Sequence, residues 1–435
     1  MSKSKNDIAW QQLFEKYRIA ETIEKEGRYN ITSTTINEFR EARLMTKFDY
    51  KSQLPNIFKA HQLSILPTAR GRYVIANFET FQDFENNEIP ITKINFPTYL
   101  ESINFHHITS ESTALNCAYI AGIISDFLGE EALKPTVNGR MGSSIFDFLI
   151  DSKKGPLKIM VQNAQLEIDG GYEGQHSLSL IEAKNSISKD FLIRQVFYPY
   201  KLWAQKIQKP VRSLFLTYTN GVFHFREYIL TDPNHYNSLQ LLREKKYLLQ
   251  EGSITKERIQ ALLQKVAILA EPPIPFPQAD SFERVINLCE LLQEDGTLSR
   301  EEITSQYDFD VRQTNYYTDA ARYLGLLEKE RVGGQIVYSL SPTGKQLFQL
   351  SILERQIKFI RLLLSHQAFN RTLTLYFEKN SMPTKAEIMA IMKMSNLYKV
   401  DSESTFSRRA FTVKSWVGWI VRQFAVENGQ LKLKL

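Results

Sequence analysis

Apolar residues recur at helical spacing near the start of the chain, at Trp10, Leu13, Phe14, Tyr17 and Ile19. A second helical stretch is expected over residues 33–43, with a capping serine at its head. After the Pro55 turn comes a short β-like run, Tyr73-Val74-Ile75-Ala76. Residues 111–128 again carry helical spacing, and Gly129 supplies the stop. Alternation then takes over. Residues 145–150, 157–168 and 177–183 read as strands, with Asp169-Gly170-Gly171 as the hairpin turn between the last two. An amphipathic helix over 190–208, halted by Pro210, leads to strands over 212–219 and 222–230 around Asn220-Gly221, a strong two-residue hairpin signal. The predicted order, α-β-β-β-α-β-β, is an α/β fold of the α+β kind: a mixed sheet with helices packed on it.

Four prolines between Glu271 and Pro277 forbid regular structure and mark a domain boundary. Beyond them, helices are expected over 282–292, 299–305 and 311–324, the second behind a Ser299/Glu302 capping box. Gly325 ends the third. Strands over 326–331 and 335–340 flank Gly333-Gly334. Three helices and a β-hairpin make a winged helix-turn-helix. Long helices are expected over 352–377 and 404–421, with a short one over 384–392. The division is therefore 1–100, an α/β region without evident chemistry; 101–250, the sheet core; 251–280, a helix and linker; 281–349, the winged helix; and 350–435, a helical, basic end.

Composition narrows the class. With 435 residues, 43% hydrophobic and 12% aromatic, the chain has material for more than one core. No apolar run approaches the ~18 residues of a membrane span, and the opening residues lack a signal-peptide pattern, so a soluble, unexported protein is expected. Cys117 and Cys289 stand far apart without Cys or His companions, which supports neither a disulfide framework nor a zinc site and points to the cytoplasm. The net charge of +6 is uneven, with Lys and Arg exceeding Asp and Glu by about nine from Ser341 onward. A concentrated basic segment suits a polyanion such as double-stranded DNA.

The chemistry concentrates in QLEIDGGYEGQHSLSLIEAKN, residues 165–185. Glu182 and Lys184 are two apart on a strand and project to one face, and the hairpin brings Asp169 beside them. Two carboxylates that close repel unless a divalent cation lies between them, and Mg²⁺ prefers such hard oxygens together with substrate phosphate. Asp169, Glu182 and the Ala183 carbonyl are the expected metal ligands, and Lys184 the group that orients water and stabilises charge on the reacting phosphate. Glu167 and Glu173 compete for the carboxylate role. In the winged helix, Arg312, Gln313, Asn315 and Tyr316 are of the types that reach bases and phosphates, joined by Lys329, Arg331 and Gln335 on the wing. Arg408, Arg409, Lys414 and Arg422 are candidate phosphate contacts, whereas Trp416 and Trp419 read as core. No phosphate loop, methyltransferase motif or GxSxG arrangement accompanies them.

Asp-x12-Glu-Ala-Lys between flanking helices resembles the PD-(D/E)xK nuclease superfamily, which includes most type II restriction endonucleases. The resemblance covers residues 101–230, although Ile168 stands where the motif has proline. It implies a restriction-endonuclease-like core and Mg²⁺-dependent, site-specific cleavage of duplex DNA. It further implies an acid on the helix before the sheet, best matched by Glu111 and next by Glu130, and supporting roles for Arg194 and Gln195. A homodimer cutting both strands and a cognate methyltransferase acting on the same DNA follow as expected partners. A nuclease of repair, recombination or transposition, or a catalytically silent DNA-binding regulator, are the alternatives.

Overall fold

The structure, a computed structural model, describes residues 4–424 apart from 86, 88, 98, 250–253 and 308. Residues 425–435, the end of the expected basic segment, lie outside the described residues.

The first region forms around Trp10. The Lys5–Tyr17 helix opens with a Ser4/Asp7 capping box and turns Trp10, Leu13 and Phe14 inward. They pack on Phe58 and on a three-stranded antiparallel sheet, in which Arg72–Ala76 lies between Arg28–Thr32 and Ser64–Ala69. The indole of Trp10 donates to the Met45 carbonyl at 2.9 Å, so the buried ring leaves no polar atom unsatisfied. This region closes by about Ala76. Residues between there and 100 join the next region: Phe81–Asp83 pairs with Asp190–Leu192, and Ile91–Ile94 edges the large sheet. The expected boundary at residue 100 moves accordingly.

The large sheet has seven strands, in the order Ile91–Ile94, Leu239–Leu249, Val222–Leu230, Val211–Thr219, Leu178–Lys184, Gln165–Glu173 and Lys134–Gly142. It is mixed and mostly antiparallel. Ile91–Ile94 runs parallel to Leu239–Leu249, and Leu178–Lys184 parallel to Val211–Thr219, the Arg194–Ala204 helix making the crossover that the latter pair requires. Apolar side chains cover both faces. Phe148, Leu180, Phe197 and Phe215 meet on one, and Leu115, Phe127, Ile181 and Leu216 on the other.

Several expected elements divide. The 111–128 helix is Glu111–Ile120 and Ile123–Leu128, parted at Gly122 with φ 74°. The 157–168 strand breaks at Asn163, whose φ of 54° turns the chain; Leu157–Gln162 pairs with Ile145–Ile150 in a separate ribbon. The expected Asp169-Gly170-Gly171 turn is strand instead, and the chain reverses between Gly174 and Ser177. Gly171 is needed for space: a Cβ there would lie 2.6 Å from the Val137 Cβ. Asn220-Gly221 turns as read, both residues at positive φ.

The C-terminal region follows the expected helix order: Phe282–Asp295, Arg300–Gln306 and Val311–Tyr323, then strands Leu327–Val332 and Gln335–Leu340 about a Gly333-Gly334 turn. The 352–377 helix is two, Ile352–Leu364 and Gln367–Lys379. One core runs from Ile259 through Phe282, Leu324 and Phe359 to Trp416 and Trp419, so no break falls at 349/350. The proline segment belongs to the same core. Phe276 is buried there and stacks on Phe369.

Candidate active site

The Asp169 strand and the Lys184 strand pair as far as Gly170–Ile181 and then diverge. Beyond that point the Ala183 N–H has lost a ladder partner on this side, and the Asp169 Oδ2 accepts it at 2.8 Å. The parted strands make the floor on which Asp169, Glu182 and Lys184 meet. Lys184 Nζ donates to Glu182 Oε1 at 2.6 Å and to the Ala183 carbonyl at 3.1 Å, and lies 3.6 Å from Glu111 Oε1. Glu111 begins its helix immediately after the Ser110 cap, which points the acid at the strand ends. Gln195, on the crossover helix, donates to Glu182 Oε1 at 2.6 Å and to Asp49 Oδ1 at 3.4 Å.

Four carboxylates, of Asp49, Glu111, Asp169 and Glu182, thus surround one ammonium. Burial pushes the Glu182 carboxyl up to about 8, with Lys184 opposing and Asp169 reinforcing the rise. Burial likewise raises Glu111, again against Lys184. For Lys184 burial works downward, but Glu182, Glu111, Asp49 and Asp169 outweigh it and hold the ammonium well above its ordinary value. The excess of acid over base is the condition a divalent cation relieves. The oxygens of Glu182 and Ala183 already converge on one positive charge, that of Lys184, so the donor set fits a hard cation. Among the described residues no three His, Cys, Asp or Glu side chains are gathered tightly enough to hold an ion alone. Two carboxylates, a peptide carbonyl and oxygens from water and substrate are what the arrangement offers.

These residues line a cleft of about 1110 Å³ whose walls come from all three regions. The first region contributes exposed Arg43, Lys47 and Arg70, with Asp49 and the buried Tyr50. Arg140 and Arg194 stand on the core side, and Glu290, Glu294 and Tyr307 on the C-terminal side. No motif marks Asp49 or Tyr50, which lie far along the chain from the acids they approach, Glu111, Asp169 and Glu182. Their contribution is visible only in three dimensions.

The other expected residues are placed elsewhere. Glu130 accepts from the His176 N–H and Ser177 Oγ and so fastens the turn between those strands, leaving Glu111 as the acid at the floor. Glu167 pairs with Arg140 at 3.3 Å and Glu173 with Lys209 at 2.6 Å. Arg312, Lys329, Arg331, Gln335 and Arg408 are exposed, and Asn315, Tyr316 and Lys414 half-buried; none lines the cleft. Gln313 is occupied in the capping box with Asp310, accepting the Asp310 N–H at 3.1 Å. Arg409 is half-buried and donates to the Phe276 carbonyl, and Arg422 pairs with Glu283 at 3.2 Å. Both have acceptors within the protein itself. Trp416 and Trp419 are core, as read.

Three families match successive parts of the chain, each a domain of unknown function: DUF6996 over residues 7–75, DUF6997 over 76–248 and DUF7226 over 284–425. No curated protein and no solved structure matches it. Among the described residues no helix is long and apolar enough to cross a membrane.

Proposed function

We infer that the chain is a Mg²⁺-dependent endonuclease that cuts double-stranded DNA at specific sites, of the type II restriction kind. In this reading a PD-(D/E)xK core does the chemistry and a winged helix holds the duplex. The observation that carries the reading is the meeting of Asp169, Glu182 and Lys184 where two strands part, with Glu111 beside them at the floor of a cleft. Asp169, Glu182 and the Ala183 carbonyl are the residues to hold Mg²⁺. When bound, the ion supplies positive charge to the scissile phosphate and acidity to the attacking water.

The protein's own groups do the rest. Gln195 and Lys184 hold Glu182 in one orientation through Oε1. Lys184 presents a fixed ammonium to the reacting phosphate, where it orients water and offsets charge as the bond breaks. Arg43, Lys47, Arg70 and Arg194 give the walls cations for the neighbouring phosphates. One such floor per chain cuts one strand, so a homodimer is the proposed cutting unit and a methyltransferase of the same specificity its functional partner.

The test is digestion of unmodified phage or plasmid DNA with Mg²⁺ and with EDTA, followed by sequencing of the fragment ends. Discrete fragments in Mg²⁺ alone are expected. Lys184→Ala should lower the cutting rate by about 100-fold or more while leaving DNA affinity within about twofold. No cutting by the unaltered protein, or full cutting by Lys184→Ala, overturns the assignment. Ends without a shared sequence would instead fit a repair or recombination nuclease using the same chemistry.

A further inference from the structure

Lys184 is the last residue of its strand, and its parallel pairing ends at Thr217. The three residues that follow are held from outside the sheet. Asn287, on the Phe282–Asp295 helix, is 1% exposed. Its Nδ2 donates to the Asn185 carbonyl at 2.7 Å, and its Oδ1 accepts the Ile187 N–H at 3.1 Å. One carboxamide therefore brackets the segment with donor and acceptor together. The helix is itself fixed at that point, because the buried Tyr307 hydroxyl donates to the Asn287 carbonyl.

The first region grips the same segment from the other side. The Tyr50 hydroxyl bonds to Ser186 Oγ at 2.7 Å. Tyr50 is held in turn by its neighbours: the Leu192 N–H donates to the Asp49 carbonyl at 3.1 Å, and the Lys51 N–H to Asp190 Oδ1 at 2.9 Å. Gln53 reaches across to the Ser305 carbonyl of the C-terminal region at 2.9 Å. Asn185 Nδ2 also donates to the Thr109 carbonyl at 3.2 Å, two residues before Glu111.

We propose that residues 185–187 are a clamp through which both flanking regions position Lys184, with Asn287 and Tyr50 as the positioning residues. The physical ground is that a side chain at a strand end inherits the freedom of the backbone that follows it, and a displacement of about 1 Å at a reacting group costs about 100-fold in rate. Cutting then depends on both regions being docked on the core. The kinetic half of this proposal rests on the nuclease reading; the mechanical half rests on the hydrogen bonds alone.

Full-length Asn287→Ala, Tyr50→Phe and the double variant test it, with Ile352→Ala as control. Ile352 is buried against the Gly221 turn, at the same junction of regions but outside the clamp. Three quantities are read: the single-turnover cutting rate at saturating DNA with Mg²⁺, DNA affinity in EDTA, and amide hydrogen exchange over residues 178–192. Each clamp variant should cut about tenfold or more slowly with affinity unchanged within about twofold, and should exchange faster at 185–187. The double variant should fall short of the product of the singles, because both grips act on one segment. Ile352→Ala should do none of this. Exchange unchanged in both single variants, or equal slowing by Ile352→Ala, overturns the clamp. Should the unaltered protein cut no DNA, the nuclease reading fails and exchange alone decides: loss of protection at 185–187 in the two clamp variants but not in Ile352→Ala supports the clamp, and unchanged protection refutes it. Tyr50→Phe removes a single oxygen and carries the test where Asn287→Ala does not fold.

Discussion

Two buried glutamates on neighbouring parts of one sheet show how surroundings decide what an acid does. Glu182 has one ammonium shared among four carboxylates, and burial raises its carboxyl. Glu227 is as deeply buried, but Arg212 donates to it at 2.6 and 2.8 Å and Arg243 at 2.7 Å. Burial works upward there too, yet the two guanidiniums outweigh it and hold Glu227 below the ordinary carboxylate range. A carboxyl lowered on folding adds stability that is complete above its unfolded value, near 4.3, and fades as pH falls through the folded one. Glu227→Gln is therefore expected to cost about 2 kcal/mol at pH 7. This is below the ~3–5 of a fully buried pair because Arg243 is 42% exposed. Denaturant titration at pH 7 and at pH 3 checks this: the difference between variant and parent should shrink in acid, and a constant difference would show that packing, and not charge, is responsible.

At the scale of elements, turn chemistry was readable where a turn is all the residues do. Asn220-Gly221 and Gly333-Gly334 sit at positive φ between strands, as their types require. Asp169-Gly170-Gly171 has the same look, but Gly171 serves close approach of neighbouring strands and Gly170 lies against Leu115 and Tyr172, which no local pattern distinguishes from a turn. Gly171→Ala tests that difference. With Val137 Cβ 2.6 Å from the added methyl, the substitution should lower stability by about 1–3 kcal/mol in thermal or denaturant melts. An unchanged melting temperature would mean the strands separate freely. The strand Lys134–Gly142 was not legible at all, since its side chains are mostly exposed and the apolar alternation that reveals a strand is missing. Glu182 and Lys184 were legible because spacing of two on a strand is a local fact, whereas Asp169 was placed beside them by a hairpin expected at 169–171, and the chain in fact reverses between Gly174 and Ser177. Glu111 came from resemblance alone; its carboxylate lies 3.6 Å from the Lys184 ammonium.

At the scale of the whole molecule, the sequence marks composition and the structure marks contact, and these differ at the proline segment. EPPIPFP reads as a spacer, yet Phe276 is buried against Phe369 and Tyr323, and the Tyr323 hydroxyl donates to Glu271 at 2.5 Å. Phe276→Ala should therefore destabilise the C-terminal region by about 3–5 kcal/mol, measured by denaturant unfolding, whereas a free spacer would show no change. Asp49 and Tyr50 were beyond sequence reasoning for the same cause, because what places them is the docking of one region on another.

The strand that carries Lys184 has neighbours on both sides and apolar layers above and below. Backbone bonds in such a place are among the last to open as a protein warms, whereas at Lys184 the pairing with the Asp169 strand has already ended and the residues beyond are held by side chains of the flanking regions. Warming should accordingly release the end of this strand while its middle is still protected.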